Sequence, residues 1–401
     1  MPPFSRTAIA EALASQWVEA TIPKLPRSSG RVVKNPAGPT PDTVQANILA
    51  VQIIQGDEET MLTLPAADAA AFVAALLRHS GSTPGHATIV ADHLVENSRL
   101  GIHSHGLIRV PQYIKEIRAG EIDPRARPRR IRTRQAVTWV SGNAGFGLLG
   151  GIYAARQAVL AAQKHGIGLV IANQLGHTGR LGAYAELVAA QRCVALVFGT
   201  GPPRGHMVAP FGGVEGRLST NPIAFAVPNG PTPVVADFST SQLPEGKVRS
   251  ARNRGQRLPE GVLQDAAGHP TVDPAALYGR RRGTLLPLGG AISGHKGYAL
   301  AILVEAMATL LAGDQIDDAS RSGFNLTILA IATKPGFDRA TGRMVAYLRS
   351  ARPADPRRPV LVPGDPERLA RERHFVEVDR PTWSEIEAIA RQLAVETPSV
   401  A

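Results

Sequence analysis

Cysteine is all but missing. Cys193 is the only one in 401 residues, which excludes an intrachain disulfide and any multi-cysteine zinc or iron–sulfur centre. Aromatic residues make up 5% of the chain and charged residues 19%, so an aromatic platform for stacking RNA bases has little to be built from. Lysine is scarce too: the basic residues are 37 Arg and 7 Lys, giving a net charge of +11 and a sequence pI near 10.3. Clustered cations would neutralise phosphates, but the arginines are spread widely, with short clusters only at Arg125–Arg134 and Arg280–Arg282. No helix-turn-helix pattern accompanies them, so a basic but ordinary surface is the expectation and nucleic acid is not an expected partner. Long apolar runs are also lacking. The stretch Ala299–Val304 falls far short of the roughly 18 to 20 residues that span a bilayer, and no signal-peptide core stands at the start. The expectation is a soluble, cytoplasmic chain. What is present is 44% hydrophobic residues with a mean hydropathy near zero, enough for two or three globular domains.

Along the chain the grammar changes twice. After a short helical pattern at Ala8–Val18, Pro23, Pro26, Ser28-Ser29-Gly30 and Pro36 to Pro41 read as linker chemistry. Residues 1–60 are therefore expected to be a peripheral, poorly ordered extension, with Met61 as the start of the folded body. Ala69, Phe72, Val73, Leu76 and Leu77 recur at helical spacing, and a second amphipathic helix is expected over His86–Val95. From about residue 136, strands and helices alternate: strand Ala136–Val140, helix Gly151–Lys164, strand Gly168–Ala172, helix Leu181–Gln191, strand Val194–Phe198. Strands Ile223–Val227 and Val234–Asp237 are separated only by the turn Pro228–Pro231, which favours an antiparallel pair and a mixed sheet. Arg249–Arg282 reads as long loops. A helix over Tyr298–Leu311, a strand over Phe324–Ala332 and a terminal helix over Pro381–Val395 complete the pattern.

Five segments carry chemistry. In His103-Ser104-His105-Gly106-Leu107-Ile108-Arg109-Val110-Pro111-Gln112-Tyr113, a helix beginning near Ile108 would put Arg109 and Tyr113 on one face with His105 at its entry. An imidazole, a guanidinium and a phenol from one segment suit carboxylate binding and proton transfer at an adjacent oxygen; the plainer reading is a helix start with His105 as a cap. His177, in Gly176-His177-Thr178-Gly179-Arg180, lies between a strand end and a helix start, as a second site imidazole or a polar loop residue. Gly145-Phe146-Gly147-Leu148-Leu149-Gly150 matches G-x-G-x-x-G by letter, but no acid follows at the end of the next strand. Asp237-Phe238-Ser239-Thr240-Ser241 ends a strand, where a carboxylate can take ribose hydroxyls. Gly294-His295-Lys296-Gly297, expected to open the Tyr298 helix, offers backbone amides and a lysine to an anion.

The ordered set of these words, with Ala209-Pro210-Phe211-Gly212-Gly213, Arg217, Thr220-Asn221-Pro222 and Leu285-Leu286-Pro287-Leu288-Gly289-Gly290, resembles the malate/L-lactate dehydrogenase family. That group also contains ureidoglycolate, sulfolactate and 2,3-diketogulonate oxidoreductases. The resemblance runs from about Met61 to the C-terminus. It implies an α/β fold whose mixed-sheet, non-Rossmann NAD(P)-binding domain packs with helical N- and C-terminal regions, which makes Gly145–Gly150 a structural loop. The implied division is helical substrate and dimerisation region 61–135, mixed α/β cofactor-binding domain 136–290 and helix-rich region 291–401 completing the site. The implied activity is hydride transfer between a nicotinamide cofactor and a small 2-oxo or 2-hydroxy acid, in a homodimer. His105 and His177 match the family's site histidines, Arg109 its substrate-carboxylate arginine and Tyr113 a substrate contact. Thr200, Gly201, Asp237, Phe238, Ser239, Thr240, His295, Lys296, Gly364 and Asp365 match cofactor-binding stretches, and Ala291-Ile292-Ser293 lengthens the loop carrying Lys296.

No metal is expected. Asp237 at a strand end favours NAD over NADP. His105 is the expected proton donor, with an ordinary histidine pKa of about 6.5, and His177 the group that polarises the same carbonyl; the reverse assignment stays open. Some relatives reduce cyclic imine carboxylates, which is the alternative activity. A catalytically silent protein that binds a ligand or nucleic acid is the alternative of another class.

Overall fold

The structure is a computed structural model and describes residues 61–400; the helical pattern at Ala8–Val18 and the extension 1–60 lie outside the described residues. The chain opens with strand β1 (Met61–Pro65) and helices α1 (Ala66–His79) and α2 (Pro84–Arg99). Ala69, Phe72, Val73, Leu76 and Leu77 form the buried stripe of α1 that their spacing predicts. Thr83 caps α2 by accepting from the His86 amide, and Pro84 fits its first turn. Two short 3₁₀ turns, His103–His105 and Leu107–Arg109, lead into α3 (Val110–Arg118).

Next come β2 (Arg129–Arg134), β3 (Val137–Ser141), α4 (Gly147–His165), β4 (Ile167–Leu175), α5 (Gly182–Ala189), β5 (Cys193–Thr200), β6 (Ile223–Val227) and β7 (Val234–Phe238). The β6–β7 pair is antiparallel, as its tight turn requires. Arg249–Arg282 is not long loops: helix α6 (Glu245–Asn253) enters it, and β8 (Leu263–Gln264) and β9 (Pro270–Thr271) join β10 (Thr284–Leu285) in a small antiparallel sheet. Polar composition hid these elements, because the apolar side chains that face inward there, Ala251, Leu258, Val262, Leu263 and Leu277 among them, are few and scattered.

Helix α7 runs over Gly290–Val304 and continues as a wider π-helical turn over Glu305–Leu310. It therefore starts eight residues before Tyr298, with Gly289 at φ 99° just ahead of it. Gly294-His295-Lys296-Gly297 lies inside the helix rather than at its opening, and Ala291-Ile292-Ser293 is its first turn rather than loop. Glycine reads as a breaker in sequence, yet here it serves packing: a Cβ on Gly297 would come within 2.4 Å of the Leu288 carbonyl. The chain ends with β11 (Phe324–Ala332), α8 (Phe337–Arg349), α9 (Asp365–Ala370), β12 (Phe375–Asp379) and α10 (Arg380–Gln392).

The main sheet has the order β2-β3-β4-β11-β5-β6-β7, with β3 and β4 parallel and the remaining neighbours antiparallel. This is a mixed sheet, not the doubly wound parallel one of a Rossmann domain. Strand β11, from the last third of the chain, is inserted between β4 and β5 and is buried along most of its length. The small side chains Ala154, Ala155, Ala158 and Ala162 of α4 share the sheet core with Val170, Ala172, Ile328 and Ala330. Edge strand β2 carries four arginines among six exposed residues, and Arg132 lies 3.9 Å over the Trp139 ring. Charge on an edge strand blocks pairing with another sheet, which gives the Arg125–Arg134 cluster a structural use.

A separate core joins the two ends of the described chain. β1 pairs antiparallel with β12, and Phe72 packs on Trp383 with ring centroids 5.7 Å apart. The G-x-G-x-x-G letters open α4 against this core, and a Cβ on Gly147 would stand 2.1 Å from the Gly176 carbonyl. Its glycine is a packing requirement that brings α4 close to the loop carrying His177.

Candidate active site

His105 and His177 stack, with ring centroids 5.5 Å apart and planes 19° from parallel. The first comes from the 3₁₀ turn before α3 and the second from the loop after β4, so the core that joins these regions creates the pair. Ser104 Oγ lies 2.9 Å from His105 Nδ1, and Asn97 Nδ2 donates to the His105 carbonyl at 3.0 Å, fixing the turn. Tyr113, almost fully buried on α3, places its hydroxyl 2.8 Å from His177 Nδ1. Burial pushes the phenol pKa upward, so the group keeps its proton. As donor to Nδ1 it would leave the remaining ring proton of His177 on Nε2. Phe324, opening β11, meets the other side of His177 edge-on at 5.4 Å.

Arg109 is buried beside the two rings. Its Nε donates to the Ser104 carbonyl at 2.7 Å, Nη1 to Gln112 Oε1 at 2.7 Å and Nη2 to Glu245 Oε2 at 3.4 Å. These bonds occupy three of about five guanidinium N–H donors, leaving two, the number a bidentate carboxylate requires. Helix α6 approaches closely enough for Glu245 to arrive because its second residue is glycine: a Cβ on Gly246 would stand 2.5 Å from Ser104 Cβ.

Burial, reinforced by Arg109, lowers the His105 pKa to about 3, and burial holds His177 well below its ordinary value. The expected ordinary histidine near 6.5 is therefore not what the fold makes. Both rings are neutral at pH 7 and are prepared to accept a proton or to donate an N–H bond without charge. Nearby His93 is likewise held at about 3 by burial and by Arg180, and its Nε2 has no hydrogen-bond partner. Arg180 itself bonds Asn97 and Glu186.

The expected cofactor residues fall into three groups. The segment after β7 is stitched to the strand leading into α7: Gln242 N–H donates to the Leu286 carbonyl at 2.9 Å, and Leu288 N–H to the Thr240 carbonyl at 2.8 Å. Asp237 Oδ2 accepts the Gly182 amide at 2.7 Å, so one carboxylate oxygen already caps α5. Phe238 is 37% exposed, while Thr240 is buried on the carbonyls of Thr220 and Asn221 and Ser239 donates to the Ser241 carbonyl. His295 and Lys296 are exposed early in α7, His295 against the Phe211 ring. Thr200 and Gly201 end β5 on the other side, bonded to Thr309 and Ser219. Gly364 sits beside Val235 of β7, but Asp365 is committed to Arg349 at 2.7 Å and to the Val362 amide. A dinucleotide fits the first group best, where the exposed Lys296 of α7 accompanies the end of β7; Asp365 has no free carboxylate oxygen to offer it.

Glu245, Gln112, Phe324 and Arg249 are site residues that sequence reasoning missed. The only hint was Glu245 followed four residues later by Arg249, the spacing of a helical ion pair. On the remaining side of His177 is a cavity of about 440 Å³ lined also by Asn143, Asn173, Gln174, Arg321 and Asn325.

A mixed α/β body with two stacked imidazoles and a buried arginine accompanies a sequence whose relatives place it in one class, the hydroxy acid oxidoreductases. A profile described as malate/L-lactate dehydrogenase matches residues 64–387, and the chain belongs to that family. It is 33% identical over 324 residues to an L-lactate dehydrogenase of Cupriavidus necator, covering 77% of this chain and 92% of the relative. It is 35% identical over 241 residues to a Δ1-pyrroline-2-carboxylate reductase of Burkholderia multivorans, covering 60% and 68% respectively. Among solved structures, malate dehydrogenase from Pyrococcus horikoshii superposes with a TM-score of 0.76 at 27% identity, covering 86% of this chain and 99% of that one.

Proposed function

We propose that this protein interconverts a small 2-oxo acid and its 2-hydroxy acid using NAD, with NADP as the other candidate cofactor. The observation that carries the reading is the stacked His105–His177 pair beside a buried Arg109 with two donors to spare. Arg109 anchors the substrate carboxylate as a planar fork. His177, with its proton on Nε2, donates to the carbonyl oxygen, and Tyr113 positions it. His105 takes the hydroxyl proton in oxidation, for which its neutral state at pH 7 is suited. In reduction it returns that proton, and a carboxylate on Arg109 assists by cancelling the cation that adds to the effect of burial on its pKa. The dinucleotide, when bound, supplies the hydride or receives it. Asp237, Phe238, Ser239, Thr240, His295 and Lys296 would hold it, with Thr200, Gly201 and Gly364 as further contacts. The Asp237 carboxylate at the end of β7, where it can accept from ribose hydroxyls, is the reason to favour NAD.

The same anchor and hydride chemistry serves a cyclic imine carboxylate, and the similarity to the Burkholderia reductase favours that as the second reading. A homodimer in the cytoplasm is part of the proposal. Ile302, Leu303, Leu310 and Leu311 leave about half of each side chain exposed on α7 and the turn after it, an apolar face that a second copy would cover. The division into regions 61–135, 136–290 and 291–401 belongs to the proposal as well. The deciding experiment follows reduced-nicotinamide absorbance with NADH and NADPH against 2-oxo acids and cyclic imines. Oxo-acid-dependent oxidation supports the first reading, imine-dependent oxidation the second, and neither with any compound refutes both.

A further inference from the structure

The anchoring arginine has a built-in counter-ion. Glu245 opens α6, and its buried carboxylate faces Arg109 Nη2 at 3.4 Å. One turn on, Arg249 grips the same carboxylate, with Nε to Oε1 at 3.0 Å and Nη2 to Oε2 at 3.1 Å, while the Tyr278 hydroxyl donates to Oε1 at 3.0 Å. Each carboxylate oxygen thus accepts two hydrogen bonds and has no capacity left for a bound molecule. Burial works against this charge, but Arg109 and Arg249 outweigh it and hold the carboxyl below its ordinary pKa. With both imidazoles neutral, Arg109, Arg249 and Glu245 sum to one positive charge. Glu116 stands one step further out behind Gln112, where Arg204 and Arg109 both act on it.

We propose that Glu245 sets the substrate class: by neutralising Arg249 it leaves one positive charge for one carboxylate, so the site accepts 2-oxo acids with a single carboxylate and rejects those with a second anionic group. The inference rests on Arg109 being the carboxylate anchor. A second carboxylate beside this cluster would find both of its arginines committed, Arg109 to the first carboxylate and Arg249 to Glu245, and neither would compensate its lost hydration. Glu245 is a positioning residue in this account, acting through the two arginines. Replacing it with glutamine frees Arg249 and raises the local charge to two.

The test measures kcat/KM of the full chain with two matched pairs, 2-oxobutyrate against oxaloacetate and 2-oxopentanoate against 2-oxoglutarate. The wild type is expected to favour the monoacid of a pair. Glu245→Gln should move that ratio toward the diacid by roughly 100-fold, the effect of a unit charge at about 6 Å with an effective dielectric of about 20. Glu245→Asp, which keeps the charge, should restore the preference. If the glutamine variant fails to fold, Arg249→Gln replaces it, and a monoacid KM raised at least about 10-fold is then expected because the site has lost its net charge. A ratio unmoved in Glu245→Gln, a wild type that prefers diacids, or an unchanged KM in Arg249→Gln overturns the inference and leaves the reductase reading standing. Failure to turn over any of the four acids overturns the 2-oxo acid reading, and this inference with it.

Discussion

Removing the Tyr113 hydroxyl isolates what orients His177. Tyr113→Phe keeps the ring, which packs 6.2 Å from Phe146, and deletes only the bond to Nδ1 at 2.8 Å. Both partners are buried and no other hydrogen bond to Nδ1 competes for the phenol, so the substitution leaves a buried acceptor without a partner. That costs about 1–3 kcal/mol of stability, visible as a lower midpoint in urea unfolding. The chemical effect is separate. Without the phenol, the proton of His177 is free to move to Nδ1, and Nε2 then loses its donor to the carbonyl. If the lost bond held the right tautomer by about 1 kcal/mol, the tautomer ratio shifts by about 5-fold and kcat falls by at most about that factor, while the KM for the acid, set by Arg109, changes little. Steady-state kinetics reads the second effect, and ¹⁵N-detected imidazole spectra read the tautomer directly. A wild-type spectrum with the proton on Nδ1, or a variant of unchanged kcat whose tautomer has shifted, would refute the assignment.

Three further outcomes are expected. His105→Asn should lower kcat by about 10²- to 10⁴-fold, the usual contribution of a positioned acid or base, while calorimetry shows dinucleotide affinity retained; full turnover would transfer the role to another group. Acid should unfold the protein early, because His93 and His105 are held at about 3 and His206 at about 4 in the folded state, mainly by burial. Unfolded histidines bind protons below about pH 6.5, so their contribution is complete above that pH and is lost as pH falls toward the folded values, at up to about 1.4 kcal/mol per pH unit for each. Urea midpoints unchanged between pH 7 and pH 5 would contradict the burial argument. Leu310→Glu, placing charge on the 59% exposed apolar position after α7, should convert a dimer to a monomer by light scattering; a wild type that is already monomeric sinks the dimer reading.

The sequence by itself determined the elements whose burial has one clear period. Helix α1 was legible from Ala69, Phe72, Val73, Leu76 and Leu77 because one stripe faces one core. Strands β6 and β11 were legible over their full observed ranges, since an apolar run bounded by turn residues has few other uses. The antiparallel β6–β7 pair followed from a turn too short for a crossover. The words containing His105, Arg109, Tyr113 and His177 were legible as words. Tertiary structure alone decided what they do. It brought Tyr113 onto His177 across 64 positions and Glu245 onto Arg109 across 136, and contacts at such separations leave no periodic trace in a single chain. It buried both imidazoles, and burial rather than residue type moved their pKa values away from 6.5. It also began α7 at Gly290 and carried it through Gly297, where packing against Leu288 overrides the low helix propensity of glycine. Local chemistry is written in order along the chain, whereas charge balance and proton position depend on neighbours that only folding supplies.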